Sequence, residues 1–272
     1  MKILKNEASL EFQFEFGKNW QQFIKGINEN RIAEAEKSLQ NMLSLRDLKG
    51  RRFLDIGSGS GLFSLAARRL GGSVYSFDYD PESVKCTREL KNRYFPEVVD
   101  WTIEKGSALN NEYLKKIGTY DIVYSWGVLH HTGEMWQALE NIVPLINSGG
   151  KLFISIYNDQ GWISDYWRNI KRAYNKNIVL KCLIIMIHMP YLLFGRFLAR
   201  ALTGRFKIDR GMSLWYDMKD WLGGYPFEVA KPEEISDYFR NKGFILEKLK
   251  TCGRRMGCNE FVFKKVCEEK QG

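Results

Sequence analysis

The sequence has 272 residues, 44% hydrophobic and 14% aromatic, which suffices for one full-sized core and excludes a largely disordered chain. The formal net charge is +9, but ten basic and only two acidic residues lie between Gln160 and Arg210, a net charge of +8. Nearly all of the excess charge therefore lies in one segment. This placement indicates a local anionic partner and does not favour nucleic-acid binding.

Neither a secretion signal nor a metal site is expected from the sequence. Residues 1–12 contain no apolar run of signal-peptide length and no small-residue cleavage pattern, so we expect a cytoplasmic protein. The five cysteines are scattered at spacings that do not match the usual zinc motifs, which predicts reduced thiols and no bound metal. They are Cys86, Cys182, Cys252, Cys258 and Cys267.

Strand-like runs alternate with amphipathic helical runs from Arg51 onward, which predicts a parallel sheet with crossover helices. The predicted strands are 51–57, 73–78, 101–106, 120–127 and 151–157. Helices are predicted over 60–70, from the Asp80-Pro81-Glu82 start onward, and over 135–146. Ser148-Gly149-Gly150 is predicted to turn the chain into the fifth strand.

The two ends of the chain differ from this middle part. Residues 1–50 are predicted to be helical from about Trp20. Near the other end, a helix is predicted over 231–243. It is followed by two strand-like runs, 244–251 and 259–266, that predict an antiparallel hairpin. We therefore divide the chain into an N-terminal helical cap, a ligand-binding core, a helical insertion and a C-terminal helix with its hairpin. Their ranges are 1–50, 51–159, 160–230 and 231–272.

A glycine-rich stretch, "LDIGSGSGLF", follows the first predicted strand and suits close approach of a nucleotide-like ligand. A dinucleotide site needs G-x-G-x-x-G, but Leu62 stands where the third glycine belongs. Asp55 precedes the first glycine by two residues, and a carboxylate there repels pyrophosphate but suits a cationic ligand that carries an amino acid. Asp78 ends the second strand, where an acid accepts both ribose hydroxyls with either ligand.

The glycine-rich stretch is followed by two further characteristic stretches, "SFDYDP" and "YDIVYSWGVLHHTGEMWQAL". With all three, the chain resembles the class I S-adenosylmethionine-dependent methyltransferases. The resemblance covers roughly residues 50–157 and returns at the C-terminal hairpin. It implies an α/β fold with a Rossmann-like seven-stranded sheet and an antiparallel C-terminal strand. To this fold the chain adds the N-terminal helical cap and a helical lid insertion.

The resemblance also implies S-adenosylmethionine as the cofactor and assigns its contacts. Asp55, Gly57, Ser58 and Gly59 correspond to the methionine portion and its amino group, and Asp78 to the ribose. Ser107 and Ala108 follow the third strand where the family commonly has an acid that contacts the adenine amino group; a serine hydroxyl can still accept there. Ser125 and Trp126 end the fourth strand and are expected to line the floor beneath the sulfonium.

The stretch "SWGVLHH" stands where amine methyltransferases have an Asp/Asn-Pro-Pro-aromatic motif, which favours oxygen or carbon acceptors. His130 and His131 follow directly, and a histidine there either deprotonates an acceptor hydroxyl as general base or only caps the next helix or closes the cofactor pocket. Of these two roles, capping or closing the pocket is the more ordinary one; if one of the pair is the base, we prefer His131 to His130. The stretch is most similar to methyltransferases of ubiquinone and menaquinone biosynthesis and to relatives that act on sugars and polyketides.

The insertion contains an uncharged run, residues 182–195, too short for the roughly 20 residues that span a bilayer. It predicts either a buried lid helix or an interfacial helix whose basic flanks contact anionic lipid, as in a peripheral membrane protein. Beyond it, five aromatic residues lie around the pair Gly223-Gly224 and form either an acceptor pocket or ordinary packing. They are Trp215, Tyr216, Trp221, Tyr225 and Phe227.

The sequence therefore predicts methyl transfer to an oxygen or carbon nucleophile of a quinone-like, sugar or lipid-linked small molecule. The alternative is a non-catalytic or nucleic-acid-associated protein that retains the methyltransferase fold.

Overall fold

The computed structural model describes residues 17–190, 192, 218, 221–253 and 255–267. Its centre is a seven-stranded sheet with the order β3-β2-β1-β4-β5-β7-β6, which confirms the predicted fold class. The strands are β1 (Arg52–Ile56), β2 (Ser73–Asp78), β3 (Trp101–Lys105), β4 (Tyr120–Trp126), β5 (Ile146–Tyr157), β6 (Phe244–Lys250) and β7 (Cys258–Lys265).

Helices cover both faces of the sheet. They are α1 (Gly17–Lys25), α2 (Glu29–Leu43), α3 (Leu62–Arg69), α4 (Pro81–Tyr94), α5 (Asn111–Ile117), α6 (Met135–Ile142), α7 (Trp162–Lys176), α8 (Ile178–Met189) and α9 (Pro232–Arg240), with short 3-10 turns at Leu129–His131 and Val143–Leu145. One apolar core lies between the sheet and α1–α4, and a second lies between the sheet and α5, α6 and α9. Burial on both faces explains why the parallel strands are almost continuously apolar.

β1 to β5 are parallel, so their carboxyl ends lie at one edge of the sheet. β1 pairs with β2 on one side and with β4 on the other, and the strand order reverses there. In open α/β sheets, ligands bind outside the strand ends at such a reversal. The glycine-rich stretch and the two histidines both lie at this edge.

The fifth strand is longer than the sequence predicted. α6 ends at Ile142, a 3-10 turn containing Pro144 follows, and β5 begins at Ile146, so the predicted turn at 148–150 lies within the strand. Pairing between β4 and β5 is irregular near Tyr120, and Gly149 has a φ of 73°. A left-handed glycine therefore makes a bulge where a turn was predicted.

The C-terminal hairpin forms as predicted, with β7 antiparallel to both β5 and β6. Phe261 and Phe263 enter the core beneath α5, α6 and α9, whereas Val262 enters the opposite core. The alternation shows that both faces of β7 are covered. Because β7 pairs with β5 and with β6, it is an interior strand, and β6 lies at the edge of the sheet.

The N-terminal residues that the structure describes are helical, as predicted. Ile32, Leu39 and Leu43 of α2 are fully buried in the core that α2 shares with α3. At the surface of this helix pair, Arg69 of α3 forms ion pairs with Glu29 and Glu36 of α2. The four-segment division of the chain stays a prediction.

α7 and α8 pack beside the sheet with an apolar cluster of their own, which includes Trp167, Tyr174, Ile184 and Phe227. None of the helices that the model describes is long and apolar enough to cross a membrane. Within the predicted aromatic segment, Trp215 and Tyr216 lie outside the described residues.

The loop between β1 and α3 yields a stability prediction. Gly61 has a φ of 80°, and a Cβ there would lie 2.8 Å from the Cα of Thr87; Gly50 has a φ of 70° with nothing within 4 Å of its Cβ position. Gly50→Ala should cost about 1–2 kcal/mol of unfolding free energy through backbone strain alone. Gly61→Ala should cost about 1–3 kcal/mol more, because the methyl group meets backbone that cannot move aside. Urea denaturation measures both, and equal losses would contradict the packing role of Gly61.

Candidate active site

The glycine loop, residues 57–61, joins β1 to α3 and is held from several sides. The backbone N–H groups of Gly57 and Ser58 both donate to the carbonyl of Phe77, at 2.8 and 3.1 Å. Gly57, Gly59 and Gly61 all have left-handed φ values. A Cβ on Gly57 would lie 2.5 Å from the side chain of Val128, so the loop follows a path that only glycine can take.

Asp55 lies beneath this loop and is only 2% exposed. Its carboxylate accepts from the hydroxyl of Ser64 at 2.5 Å and from the Ser64 backbone N–H. The Ser64 and Ser76 hydroxyls are 2.7 Å apart, and the Trp101 indole N–H donates to Ser76 at 3.0 Å. Burial raises the pKa of Asp55 to about 7, which the Ser64 hydrogen bond opposes and the charge of Asp78 reinforces. Asp55 thus ties β1 to the first turn of α3; its predicted contact with the cofactor stays a prediction.

Asp78, at the end of β2, joins the glycine loop to the next helix. One carboxylate oxygen accepts from the Gly59 backbone N–H at 2.8 Å, and the other from the Asp80 N–H at 2.9 Å. Burial raises the pKa of Asp78 to about 6, despite these hydrogen bonds. The predicted ribose-binding acid and the second glycine of the loop are therefore in direct contact.

The remaining predicted cofactor residues lie at the ends of β3 and β4. The Ser107 hydroxyl accepts from the Leu109 N–H at 3.2 Å, and the buried Ala108 offers its carbonyl to Asn141, 2.9 Å away. Ser125 donates to the carbonyl of Ile56 at 3.1 Å and so links the ends of β4 and β1, and Trp126 is half-buried. All nine predicted cofactor residues therefore share one edge of the sheet, and their ligand contacts stay predictions.

His130 and His131 occupy the 3-10 turn that follows β4, with ring centroids 4.6 Å apart. His131 Nδ1 lies 2.6 Å from the carbonyl of Pro226, and because a carbonyl only accepts, Nδ1 carries the proton. In the neutral ring the lone pair is then on Nε2. Burial, and secondly the charge of Lys171, lower the pKa of His131 to about 3, so the ring is neutral near pH 7.

His130 is fully buried, and neither ring nitrogen makes a well-formed hydrogen bond within the described residues. Its pKa is well below the usual value, first because of burial and then because of His131 and Lys171. The backbone N–H of Glu228 donates to the His130 carbonyl at 3.0 Å, and the Glu228 carboxylate accepts from the Met135 N–H at 2.9 Å. Glu228 therefore caps α6, and neither histidine does so.

Two further residues of this region were missed in the sequence. Tyr157, at the end of β5, has its ring centroid 4.1 Å from that of His130 and 5.0 Å from that of Phe227. Lys171 of α7 is fully buried, donates to the Trp221 carbonyl and has Nζ 4.3 Å from the Trp221 ring centroid. The signal was present, since Lys171 shares one helical face with Trp167 and Tyr174, but a lysine on an apolar face is ordinarily expected to reach solvent.

The residues at this edge fit S-adenosylmethionine better than a dinucleotide. The glycine loop follows a path on which added Cβ atoms would collide with neighbouring side chains or backbone, and Asp78, the predicted ribose-binding acid, lies beside it. Leu62, in place of the third dinucleotide glycine, is the first residue of α3. The buried Asp55 carboxylate beneath the loop disfavours pyrophosphate.

Comparison with known proteins agrees with this geometry. Residues 54–152 match the family model described as "Methyltransferase domain". The chain is similar to the ubiquinone biosynthesis O-methyltransferase of Xanthomonas oryzae pv. oryzae, with 35% identity over 112 residues, 41% of this chain and 45% of that protein. The Xanthomonas euvesicatoria pv. vesicatoria protein of the same name is 34% identical over the same shares. The chain thus spans less than half the length of these relatives.

Solved structures share the fold at low identity. Magnesium protoporphyrin IX methyltransferase from Synechocystis PCC 6803 with bound S-adenosylmethionine aligns with a TM-score of 0.57 and 13% identity, over 98% of this chain and all of that one. An O-methyltransferase family protein from Burkholderia thailandensis gives a TM-score of 0.53 and 14% identity, over 98% of this chain and 67% of that one.

The fold, the glycine loop with its two acids and the matched domain model together confirm the resemblance found in the sequence. Residues 54–152 match a methyltransferase domain, and they lie within a seven-stranded sheet of the methyltransferase fold.

Proposed function

We propose that this protein transfers the methyl group of S-adenosylmethionine to an oxygen nucleophile, or a carbon one, of a small-molecule acceptor. The observation that carries the proposal is the meeting at one sheet edge of the glycine loop, Asp78 and a neutral His131 held by Pro226. The similarity of residues 54–152 to a methyltransferase domain supports the same activity.

The acceptor we propose carries a flat or ring-shaped group, as quinone-like, sugar and some lipid-linked compounds do. Tyr157, Trp221 and Phe227 lie with ring centroids 5.0–6.2 Å apart next to the histidine turn and form an aromatic wall. The Trp221 indole N–H is buried and has no acceptor among the described residues. An oxygen atom of the acceptor would satisfy this donor, which supports binding beside the wall.

When bound, S-adenosylmethionine supplies a methyl group already activated by a cationic sulfonium. The protein's part is then to hold the acceptor oxygen in line with that methyl group and to exclude water. His131 accepts the acceptor's proton at Nε2, while Pro226 keeps the Nδ1 proton in place. Positioning supplies most of the acceleration. The base adds about 10²-fold, the low end of the usual range, because a pKa of about 3 makes Nε2 a weak proton acceptor.

A second proposal concerns the lipid-linked class of acceptor. α8 exposes one apolar face, and the residues on the opposite side, Ile184 and His188, are buried. The exposed residues are Ile178, Val179, Leu183, Met186 and Ile187. Arg172 and Lys176, both exposed, precede this face, and Lys181 lies within α8. Apolar side chains beside cations match a bilayer surface with anionic headgroups, so we propose that α8 lies against such a membrane.

The alternative is a non-catalytic or nucleic-acid-associated protein that keeps the methyltransferase fold. Such a protein has no need of an oriented, neutral histidine beside the cofactor edge. Binding of S-adenosylmethionine without turnover on any phenolic, enolic or sugar acceptor would favour this alternative.

The ribose assignment predicts a pH-dependent cofactor affinity. Because the pKa of Asp78 is about 6, its carboxylate is ionised at pH 8 and becomes protonated as the pH falls through 6, which removes acceptor capacity. Calorimetry should therefore show S-adenosylmethionine binding weaker at pH 5 than at pH 8. Asp78→Ala should cost about 2 kcal/mol or more at pH 8 and flatten the pH dependence. Unchanged affinity in this variant means that the ribose assignment is wrong; Asp237→Ala, an exposed site on α9, is the control.

The base assignment predicts different effects of the two histidines. His131→Ala should lower kcat about 10²-fold or more with little change in cofactor affinity, and His130→Ala should lower it less. Because the pKa of His131 is about 3, the ring stays neutral when the pH is lowered through 6.5, the usual range for histidine, and kcat should not fall there. Lys171→Met removes a cation that lowers this pKa, so any acid limb should move to higher pH. Equal, mild losses in both histidine variants argue for a mechanism without a protein base.

The membrane proposal predicts binding to vesicles that contain phosphatidylglycerol and weaker binding as salt screens the cations. Met186→Ser with Ile187→Ser should lower co-sedimentation on the order of tenfold, because two exposed apolar side chains leave the contact. Val99→Ser, which alters a residue that is 89% exposed elsewhere, should change nothing. Absence of binding to anionic vesicles at low salt would overturn this proposal and leave the methyltransferase assignment intact.

A further inference from the structure

The N-terminal helix α1 reaches the glycine loop through Trp20. Nε1 and Cε2 of the Trp20 indole lie 3.1 Å from the position that a Cβ on Gly59 would occupy. The edge of the ring that carries the N–H therefore faces the loop at its second glycine. No sequence motif pointed to this contact, because 39 residues separate the two positions and the contact depends on how α1 packs.

α1 is fixed in this position by α4, the helix that follows Asp78. The side-chain amide of Gln21 donates to Glu82 at 2.5 Å, and Arg93 donates to the backbone carbonyl of Ile24 at 3.1 Å. Ile24 is 2% exposed and belongs to the core beneath α1–α4. Trp20 therefore stands as a wall of the cofactor edge and is not a side chain on a loose terminus.

Among the described residues, none provides an acceptor for the Trp20 N–H. This N–H makes no hydrogen bond with another described residue, whereas the buried indole of Trp101 donates to Ser76. The neighbouring Gly59 N–H is itself a donor and is directed to Asp78. Tryptophan N–H groups at half-buried positions usually meet an acceptor, so a ligand acceptor is expected beside Gly59.

We propose that Trp20 is a cofactor-binding residue whose indole N–H donates to the carboxylate of the methionine portion of S-adenosylmethionine. This inference rests on the proposed use of that cofactor. A carboxylate is the acceptor that the methionine portion supplies, and hydrogen bonds to charged acceptors are the stronger ones.

Calorimetry with three ligands tests the assignment. Trp20→Phe keeps an aromatic ring against Phe23 and removes the N–H. It should weaken S-adenosylmethionine and S-adenosylhomocysteine by about tenfold. It should leave 5′-methylthioadenosine unchanged, because that compound has no amino acid portion. Trp136→Phe, on the outer side of α6 and 41% exposed, is the matched control and should bind all three as the wild type does.

The outcomes separate this inference from the proposed function. If the wild type binds neither S-adenosylmethionine nor S-adenosylhomocysteine, both proposals are wrong. If the wild type binds them and Trp20→Phe binds them equally well, only the role of Trp20 is wrong. Equal losses for all three ligands also overturn it, since a purely structural wall would then explain the effect. The melting temperature of Trp20→Phe is measured as well. A value equal to that of the wild type shows that the loss of cofactor affinity is local.

Discussion

The left-handed backbone of the glycine loop is the constraint on which the site depends. Neighbouring elements close in on it: Val128 after β4 at Gly57, Trp20 of α1 at Gly59 and Thr87 of α4 at Gly61. No side chain fits between them, so the loop lies closer to its neighbours than any other sequence permits. The hydrogen bond from Gly59 to Asp78 then sets the relation between β1 and β2 at their carboxyl ends.

Burial of ionisable groups divides this edge into two electrostatic halves. At the glycine loop, burial raises the pKa values of Asp55 and Asp78 to about 7 and 6. At the histidine turn, burial and the charge of Lys171 keep both histidines neutral. A low dielectric constant disfavours the charged form of every group, so it raises the pKa of an acid and lowers the pKa of a base. One desolvated edge therefore produces both shifts. The low pKa values of the two imidazoles and the raised pKa values of the two carboxyl groups therefore have the same physical cause.

Local pattern was enough to predict the sheet and the glycine loop, because strand periodicity, caps and turn residues act over a few neighbours. β2 spans the predicted residues 73–78, and α4 begins at the predicted N-cap of Asp80. The extended β5 was missed because Gly149-Gly150 reads as a turn when its partner strand is unknown. Trp20 and Glu228 were missed for a related reason, since they act through residues 39 and 93 positions away. Contacts of that kind are set by packing and leave no periodic trace in the sequence.

The histidine turn is oriented by the main chain of another segment. His131 bonds to the carbonyl of Pro226, and the backbone N–H of Glu228 bonds to the His130 carbonyl. A carbonyl or an amide stays in place when a neighbouring side chain is exchanged. The orientation of the imidazole is thus independent of the side chains that surround it. If the aromatic wall holds the acceptor as proposed, its side chains can be replaced to admit a different molecule while the imidazole keeps its tautomer, and the scaffold is then suited to redesign for new methyl acceptors.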